Sequence, residues 1–316
     1  MKILFTGGSS FTGFWFIREL AAAGHEVTAT FRRRAEDYSD LVRRQRVMIA
    51  SRFCRPVHGC SFGDASFLTL VGAGSWDLLC HHAADVTNYK SPGFDAIGAV
   101  QNNTHNLPAV LDSLKSAGCS RILLTGSVFE GGEGAGSQGL PDLSPYGLSK
   151  ALTARVFRYY CAQADLSLGK FVIPNPFGPY EEPRFTAYLM KTWMAGGIPS
   201  CSSPAYVRDN IHVSLLAKAY SRFAQSLQAT PGFTRINPSG YIESQGAFTL
   251  RMAQEMRPRL NLPCLVELKQ QSDFPEPRVR INTDIPDADT LGWNESAAWD
   301  DLTTFYQQLY AKAPKA

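Results

Sequence analysis

The stretch KILFTGGSSFTG, residues 2–13, decides the fold. A short β-type run, Lys2–Thr6, leads directly into a glycine turn, and helical apolar spacing follows at Phe14–Ala23. Between a strand and a helix, Gly7 permits the tight turn and Gly13 lets the helix pack closely on the sheet. The helix N-terminus then offers free N–H groups and a partial positive charge to a pyrophosphate. This placement favours a dinucleotide site over an ordinary strand-to-helix turn.

The residues of this turn are the first predicted cofactor contacts: Gly7, Ser9, Ser10, Phe11, Thr12 and Gly13. Ser10 stands where a glycine normally brings the backbone against the phosphates, so we expect either a lower affinity or a contact from the Ser10 hydroxyl. Asp64, after the third strand, is placed to meet the adenine, with a plain helix N-cap as the alternative.

The end of the second strand, Val27–Phe31, carries no acidic residue to bind the adenosine ribose. Arg32 and Arg33 follow instead, and guanidinium groups pair well with phosphate. This favours NADP over NAD, whereas the alternative is a solvated basic loop.

Strand and helix patterns alternate through the first half of the chain. Further strands are predicted at Arg55–His58, Asp77–His81, Arg121–Thr125 and Lys170–Pro174, and helices at Asn103–Ala117 and Pro145–Ala162. Such alternation is typical of an α/β, Rossmann-type, doubly wound parallel sheet. Beyond Asn175, prolines and glycines become frequent and the alternation fades. We therefore predict a dinucleotide-binding domain over residues 1–170 and a smaller mixed α/β substrate lobe over 171–316, with some segments returning to the first domain.

Composition narrows the class of protein. The chain has 316 residues, of which 44% are hydrophobic, and a net charge of +3. Its seven cysteines form no CxxC pair, which predicts a reducing cytoplasm without a disulfide frame or zinc site. Apolar runs of membrane length are absent, so we expect a cytoplasmic protein that does not enter a membrane. The adjacent His81 and His82 lack ligand partners at helical spacing, and we expect no metal.

The predicted long helix opens with Tyr146 and Lys150, which share a helical face at i and i+4. A nearby ammonium and a positive nicotinamide ring would stabilise a phenolate and draw the tyrosine pKa toward neutral. The fifth strand should add a hydroxyl that binds the reacting oxygen. Counting from the strand start favours Ser127, whereas matching Val128-Phe129 to the usual Val-Tyr favours Thr125, and both stay open.

Together these residues resemble the extended short-chain dehydrogenase/reductase family of nucleotide-sugar epimerases, dehydratases and ketoreductases. Three later segments resemble the family's motifs: Asn175-Pro-Phe-Gly-Pro179, Val207-Arg-Asp-Asn-Ile-His-Val213 and Leu291-Gly-Trp293. The resemblance implies that Asn175 contacts the substrate and that Arg208 binds the nucleotide diphosphate. A second diphosphate arginine is expected near residue 275, with Arg278 and Arg280 as the candidates. For the cofactor it adds His81, Ala83, Ala84, Asn103, Lys150 and Pro174.

The leading hypothesis is an NAD(P)-dependent epimerase or ketoreductase that acts on a nucleotide-linked sugar. A dehydratase is less favoured because Gly126-Ser127 follows Thr125 where acids would be needed, which leaves only Glu130. Two more hypotheses stay open, a reductase of a non-nucleotide ketone and a non-catalytic NADP sensor or nucleic-acid binder. For the latter the patch would be Arg32–Arg34 with Arg43–Arg46, but a sensor does not need Tyr146 and Lys150. A homodimer through the helices around 103–117 and 145–162 is implied by resemblance.

Overall fold

The computed structural model describes residues 1–136 and 140–311, and it has the α/β architecture predicted from the sequence. The strands are β1 (Lys2–Thr6), β2 (Glu26–Phe31), β3 (Arg55–His58), β4 (Leu78–His81), β5 (Arg121–Ser127), β6 (Ser167–Ile173), β7 (Asn175–Phe177), β8 (Ser200–Cys201), β9 (Val207–His212), β10 (Gly232–Ile236), β11 (Tyr241–Ser244), β12 (Glu267–Leu268) and β13 (Val279–Arg280). The helices are α1 (Phe11–Ala22), α2 (Leu41–Ala50), α3 (Ala65–Gly72), α4 (Ala96–Asn103), α5 (Leu107–Ser116), α6 (Pro145–Gln163), α7 (Phe185–Met194), α8 (Val213–Ser226), α9 (Gln245–Leu260) and α10 (Glu295–Ala311).

The main sheet has seven strands in the order β10-β6-β5-β4-β1-β2-β3, and every neighbouring pair is parallel. The strand order reverses between β1 and β4. In an open parallel sheet, ligands bind beyond the carboxyl ends of the strands at this reversal. The Rossmann-type prediction is confirmed, and it places the glycine turn after β1 at the ligand-binding edge.

Helices cover both faces of the main sheet, which is why its strands are apolar almost throughout. On one face α1 and α8 pack together, with the rings of Phe16 and Tyr220 stacked 3.9 Å apart. On the other face α3, α5 and α6 enclose a second buried cluster that includes Leu79, Leu111 and Phe157. The two clusters fix the sheet, and with it the positions of the strand ends that form the site.

The second lobe is built on a small mixed sheet. Its strand order is β11-β9-β13, with β7 also paired to β9, and α7, α9 and α10 enclose its own apolar cluster. Strand β10 returns from this half of the chain to the edge of the main sheet. The predicted boundary near residue 170 falls inside β6, and the division into two domains stays a prediction. Within the described ranges no helix has the length and apolar character to cross a membrane.

Several element boundaries differ from the sequence prediction, and two of the differences have a clear cause. The helix expected over Asn103–Ala117 starts only at Leu107, and Asn103 is instead the last residue of α4, because Asn106 takes a left-handed conformation with φ +49° and Pro108 lies in the new first turn. The sixth strand starts at Ser167, earlier than expected, because its first residues pair with both β5 and β10.

Candidate active site

The glycine turn forms a cradle that side chains would fill. Gly7 has φ +85°, and a Cβ there would lie 2.7 Å from the backbone nitrogen of Ala83. A Cβ on Gly13 would lie 2.3 Å from the Gly7 carbonyl oxygen. Both positions therefore need glycine, and the N-terminus of α1 stays open to an anion such as a dinucleotide diphosphate.

Ser10 and His82 connect this turn to β5. The Ser10 hydroxyl accepts from the Gly13 backbone N–H at 3.0 Å, and lies 2.9 Å from Nε2 of His82. The other ring nitrogen of His82 is 2.9 Å from the Thr125 hydroxyl. Burial, and then the Lys150 charge, lower the pKa of His82 to about 3, so its ring is neutral at physiological pH. The Ser10 hydroxyl, which was expected at the phosphates, is thus engaged in capping α1.

His81 lies in the core. It is 1% exposed, with Nδ1 3.1 Å from the Thr6 hydroxyl and Nε2 3.2 Å from the Asn103 carbonyl oxygen. Ala83 and Ala84 follow it at the partly exposed edge of the cleft, where the Ala83 N–H donates to the Thr6 hydroxyl. Both ring nitrogens of His81 are therefore engaged, so its side chain has no nitrogen free to bind the cofactor. Only the backbone of His81 lies at the strand end.

Asn103 connects two segments of the site through its side chain. Its side-chain oxygen accepts from the Asp85 backbone N–H at 2.8 Å, and its nitrogen donates to the Thr153 hydroxyl at 3.2 Å. It therefore holds the loop after β4 against α6. Phe11, predicted at the cofactor, has its side chain in the core, and so does Pro174, which is buried between β6 and β7.

At the adenosine end, the structure adds Arg43, which the sequence indicates only as part of a basic patch. Arg32 and Arg33 are exposed after the buried Phe31. Arg43 is partly buried on α2 and donates to the Ser9 hydroxyl at 3.1 Å. Its Nε is buried and has no acceptor in the described part of the chain.

Two other residues at this end have structural partners. Asp64 is the N-cap residue of α3 without a side-chain cap, and its carboxylate lies 3.8 Å from Nε2 of His105. Arg46 is 1% exposed and donates to Glu182 at 2.8 Å. Arg46 thus cannot belong to the surface patch that a nucleic-acid binder was expected to use.

The first turn of α6 carries the predicted acid/base pair. The Ser144 hydroxyl caps the helix by accepting from the Gly147 N–H at 3.2 Å. A Cβ on Gly147 would lie 2.2 Å from the Phe129 carbonyl oxygen, so glycine lets α6 approach the end of β5. Lys150 is 5% exposed and its ammonium donates to the Thr125 carbonyl oxygen at 2.6 Å. Tyr146 lies partly buried, edge-on to the rings of Tyr89 and Phe94.

The pKa near neutrality that the sequence predicts for Tyr146 is not found in the protein by itself. Burial, and then the Glu130 charge, raise the pKa of the phenol well above its usual value, while Arg184 lowers it. Lys150 is not among the charges that lower the pKa of Tyr146; its ammonium is bonded to a backbone carbonyl, and burial lowers its own pKa to about 8. The acidic phenol predicted from the sequence therefore requires positive charge beyond Lys150.

The two candidate hydroxyls of β5 have different surroundings. Thr125 is 3% exposed and its hydroxyl is bound to His82. Ser127 is the last residue of the strand, is partly exposed, and its hydroxyl accepts from the Phe129 N–H at 3.2 Å. A hydroxyl in that arrangement still has its proton to donate.

A cavity of about 220 Å³ opens beside Phe129, which follows β5, and it lies between the main sheet and the second lobe. Phe129 and Leu143 line its near side, and Asn175 lies along it, donating to the Asp209 carbonyl oxygen at 3.1 Å. Arg208 lines its far side and pairs with Glu276 at 2.9 Å.

The two candidate second arginines lie in contrasting positions. Arg278 is exposed, with its guanidinium 4.1 Å from the ring centroid of Phe274. Arg280 is 1% exposed and pairs in register with Arg208 on the neighbouring strand. Its Nη2 donates to the Pro141 carbonyl oxygen, but Nε and Nη1 find no acceptor within residues 1–136 and 140–311. Burial, and then Arg208, lower the pKa of Arg280, so the two cations lie close together.

A family model described as the NAD dependent epimerase/dehydratase family matches residues 3–257. The chain belongs to this family. It is an enzyme of the extended short-chain dehydrogenase/reductase type, and the resemblance found in its motifs is confirmed. No curated protein is similar enough in sequence to count as a match.

Solved structures share the fold at low identity. A UDP-glucuronic acid 4-epimerase from Bacillus cereus, in complex with UDP-glucuronic acid and NAD, is 18% identical with a TM-score of 0.74, covering 98% of this chain and 100% of its own. A UDP-glucose 4-epimerase from Thermotoga maritima with UDP-glucose is 16% identical, with a TM-score of 0.72 and coverage of 98% and 99%. One from Stenotrophomonas maltophila, with NAD and formylated UDP-arabinopyranose, is 19% identical, with a TM-score of 0.73 and coverage of 99% and 100%.

Proposed function

We propose that this enzyme is an epimerase of a nucleotide-linked sugar that works by transient oxidation with a bound NAD(P). The observation that carries the proposal is the pair Arg208 and Arg280 on adjacent strands, since Arg208 lines the cavity that Phe129, just after β5, also lines. Two neighbouring arginines, one with buried donors that have no acceptor among the described residues, suit a diphosphate. The similar structures with UDP-sugars support the same substrate class.

Each residue of the site has its own role in the reaction at the sugar. Tyr146 takes the proton from the sugar hydroxyl and later returns it, and Ser127 donates a hydrogen bond to the same oxygen. Lys150, fixed by the Thr125 carbonyl, would hold the cofactor ribose and supply positive charge at the site. The nicotinamide cofactor, when bound at the glycine turn, supplies the acceptor and donor of the hydride. Asn175 and the arginine pair hold the nucleotide, so that the keto sugar can rotate and expose its opposite face without dissociating.

NADP is the cofactor we favour, with Arg43 rather than Arg33 as the main determinant. Arg43 reaches Ser9 of the glycine turn, and its buried Nε has no acceptor in the part of the chain that the structure describes. Replacing Arg43 by Ala should weaken NADPH binding about tenfold or more, roughly 1.4 kcal/mol, and leave NADH binding unchanged. The exposed Arg44 provides the matched control. Equal losses for both cofactors would assign Arg43 a structural role.

Two competing functions receive less support from the geometry. A dehydratase would need a free acid at the end of β5, but both oxygens of Glu130 are engaged, one by the Ser127 N–H and one by Lys170. A reductase of a non-nucleotide ketone would have no use for the arginine pair. A homodimer stays a prediction, which sedimentation of the purified protein tests.

The test is a panel of UDP-glucose, UDP-glucuronic acid and UDP-N-acetylglucosamine, each with NAD or NADP. We expect one sugar to be converted to its epimer without net change in reduced-cofactor absorbance. Stoichiometric oxidation of NADPH would instead identify a reductase. Turnover of the free sugars at the same rate as their nucleotides would refute the role of Arg208 and Arg280.

A further inference from the structure

A buried ion cluster lies behind the end of β5. Lys170, on β6, donates to one oxygen of Glu130 and to Glu133 at 2.7 Å. The three residues are each no more than 6% exposed. Charges so far from water are costly unless they are paired, and an apolar packing would have been less expensive. Neither the fold nor the proposed function accounts for a charge cluster at this place.

The cluster makes direct contact with the candidate catalytic strand end. The second oxygen of Glu130 accepts the backbone N–H of Ser127 at 2.7 Å. Gly126 leaves the necessary space, because a Cβ there would lie 2.6 Å from Cε of Lys170 and 2.9 Å from Oε1 of Glu130. The Glu130 carboxylate and the Lys170 ammonium thus lie against β5 at Gly126, next to Ser127, whose hydroxyl is proposed to bind the reacting oxygen.

We propose that Glu130 is a positioning residue for this active site, which fixes Ser127 and places a buried negative charge behind Tyr146 and Lys150. The proposal rests on the proposed function in assuming that Tyr146 exchanges a proton with substrate. Glu130 itself does not touch the substrate, because both its oxygens are occupied within the protein.

The Glu130 charge raises the pKa of both Lys150 and Tyr146. Burial lowers the pKa of Lys150 to about 8, Glu130 opposes that fall, and Lys170 adds to it. Burial and then Glu130 raise the pKa of Tyr146. Glu130 therefore helps Lys150 to keep its proton near neutral pH, at the expense of a less acidic phenol.

Other ionisable groups face the same region from the neighbouring elements, and the Glu130 substitutions leave their identity unchanged. They are His81 at the end of β4, His82 after it, Tyr89 in the following loop, Asp142 before α6, Arg184 before α7 and Arg235 on β10. Both histidines have pKa values lowered to about 3, so they carry no charge across the range of the experiment.

The test compares pH profiles of kcat/KM for wild type and Glu130→Gln. Loss of the negative charge should move both limbs, the Tyr146 limb and the Lys150 limb, downward by at least about half a pH unit, a threefold change in each proton dissociation constant. Glu133→Gln is the matched control, since it also loses a carboxylate bound to Lys170 but keeps the Ser127 contact. Glu130→Asp keeps the charge but is too short for both contacts, so it should lower kcat with the limbs in place. Unmoved limbs in Glu130→Gln would overturn the proposal.

A readout without turnover separates this inference from the proposed function. Protein labelled with ¹⁵N-lysine gives the Lys150 ammonium titration by NMR, assigned by its loss in Lys150→Met. The Lys150 pKa should fall in Glu130→Gln and stay in Glu133→Gln, even if no sugar is ever turned over. If Glu130→Gln does not fold, Glu130→Gln/Lys170→Met removes both members of that ion pair, a change that buried sites tolerate, and leaves Glu133 bound to Arg235 and Asn237. Its Tyr146 limb should still move down, and an unmoved limb would refute the proposal.

Discussion

Arg280→Met should make the free protein more stable and at the same time weaken nucleotide binding. The guanidinium of Arg280 is 1% exposed, and two of its nitrogens have no acceptor in the described residues. Each buried unpaired donor costs about 1–3 kcal/mol, and the one hydrogen bond, to Pro141, returns about 1.5–3 kcal/mol. Methionine has a similar length and no donors. We therefore expect the variant to gain roughly 1–2 kcal/mol in free energy of unfolding.

Binding of UDP should change in the opposite direction. Removing one member of a buried, hydrogen-bonded charge pair costs about 2–5 kcal/mol, which is roughly 30- to 4000-fold in Kd. Urea unfolding of the free protein gives the first quantity, and calorimetric titration with UDP gives the second. Arg278→Met is the control, because that side chain is exposed and should change both values by less than about 0.5 kcal/mol.

The two results refute the reasoning in different ways. If Arg280→Met were less stable than wild type by about 2 kcal/mol or more, the guanidinium would have a structural function in the free protein. If UDP bound equally well to both proteins, Arg280 would not contact the diphosphate, and the placement of the nucleotide would have to be abandoned.

Three further predictions concern the glycine turn, Lys150 and the buried histidines. Gly13→Ala should abolish measurable NADPH binding and lower the Tm, because its Cβ would lie 2.3 Å from the Gly7 carbonyl oxygen; fluorescence titration and a melting curve check this, and unchanged NADPH affinity would contradict it. Lys150→Met should stabilise the free protein at pH 7 by up to ~3 kcal/mol, because the Lys150 pKa is about 8 against 10.5 in the unfolded chain; the gain should fade as pH rises from 8 to 10.5, and a constant difference would rule out this cause. Since burial lowers the pKa of His81, His82 and His212 to about 3, the unfolded chain binds more protons below pH 6.5. Unfolding free energy should therefore fall with decreasing pH there, by up to ~4 kcal/mol per pH unit between pH 4 and 5, and a slope near zero in urea titrations would contradict it.

The features predictable from the sequence are those with a local or periodic cause. Strands covered on both faces are apolar throughout, so the β–α alternation could be read and the Rossmann-type sheet follows from it. Gly7 and Gly13 are needed for steric reasons that the motif already contains. Tyr146 and Lys150 share a helix face by spacing alone, and the structure brings both to the end of β5.

What could not be predicted depends on contacts between distant segments. The choice between Arg278 and Arg280 depends on where β13 begins, because only Arg280 pairs with Arg208 of β9, and a two-residue strand leaves no periodicity to show this. Arg43 gains its place from the packing of α2 against the glycine turn. The raised pKa of Tyr146 arises from burial and from Glu130, whose pairing with Lys170 joins residues 40 positions apart.

The same reason explains the remaining differences. The sequence analysis considers His82 only as a metal ligand and rejects that role, whereas the structure shows that its ring links Ser10 and Thr125, which meet only in the folded sheet. The repeated histidine was the one signal in the sequence. The split at Asn106 has a local cause in its left-handed backbone, yet the surrounding apolar spacing still resembles one helix.

The role of Tyr146 as the proton carrier is tested most directly by the turnover of Tyr146→Phe with the nucleotide sugar that wild type converts. If the phenol carries the proton, kcat should fall by about 10²- to 10⁴-fold, while calorimetry finds UDP bound as tightly as in wild type. If the variant epimerises the sugar at the wild-type rate, the proton is carried by another group, and the site described around Tyr146 is not the catalytic one.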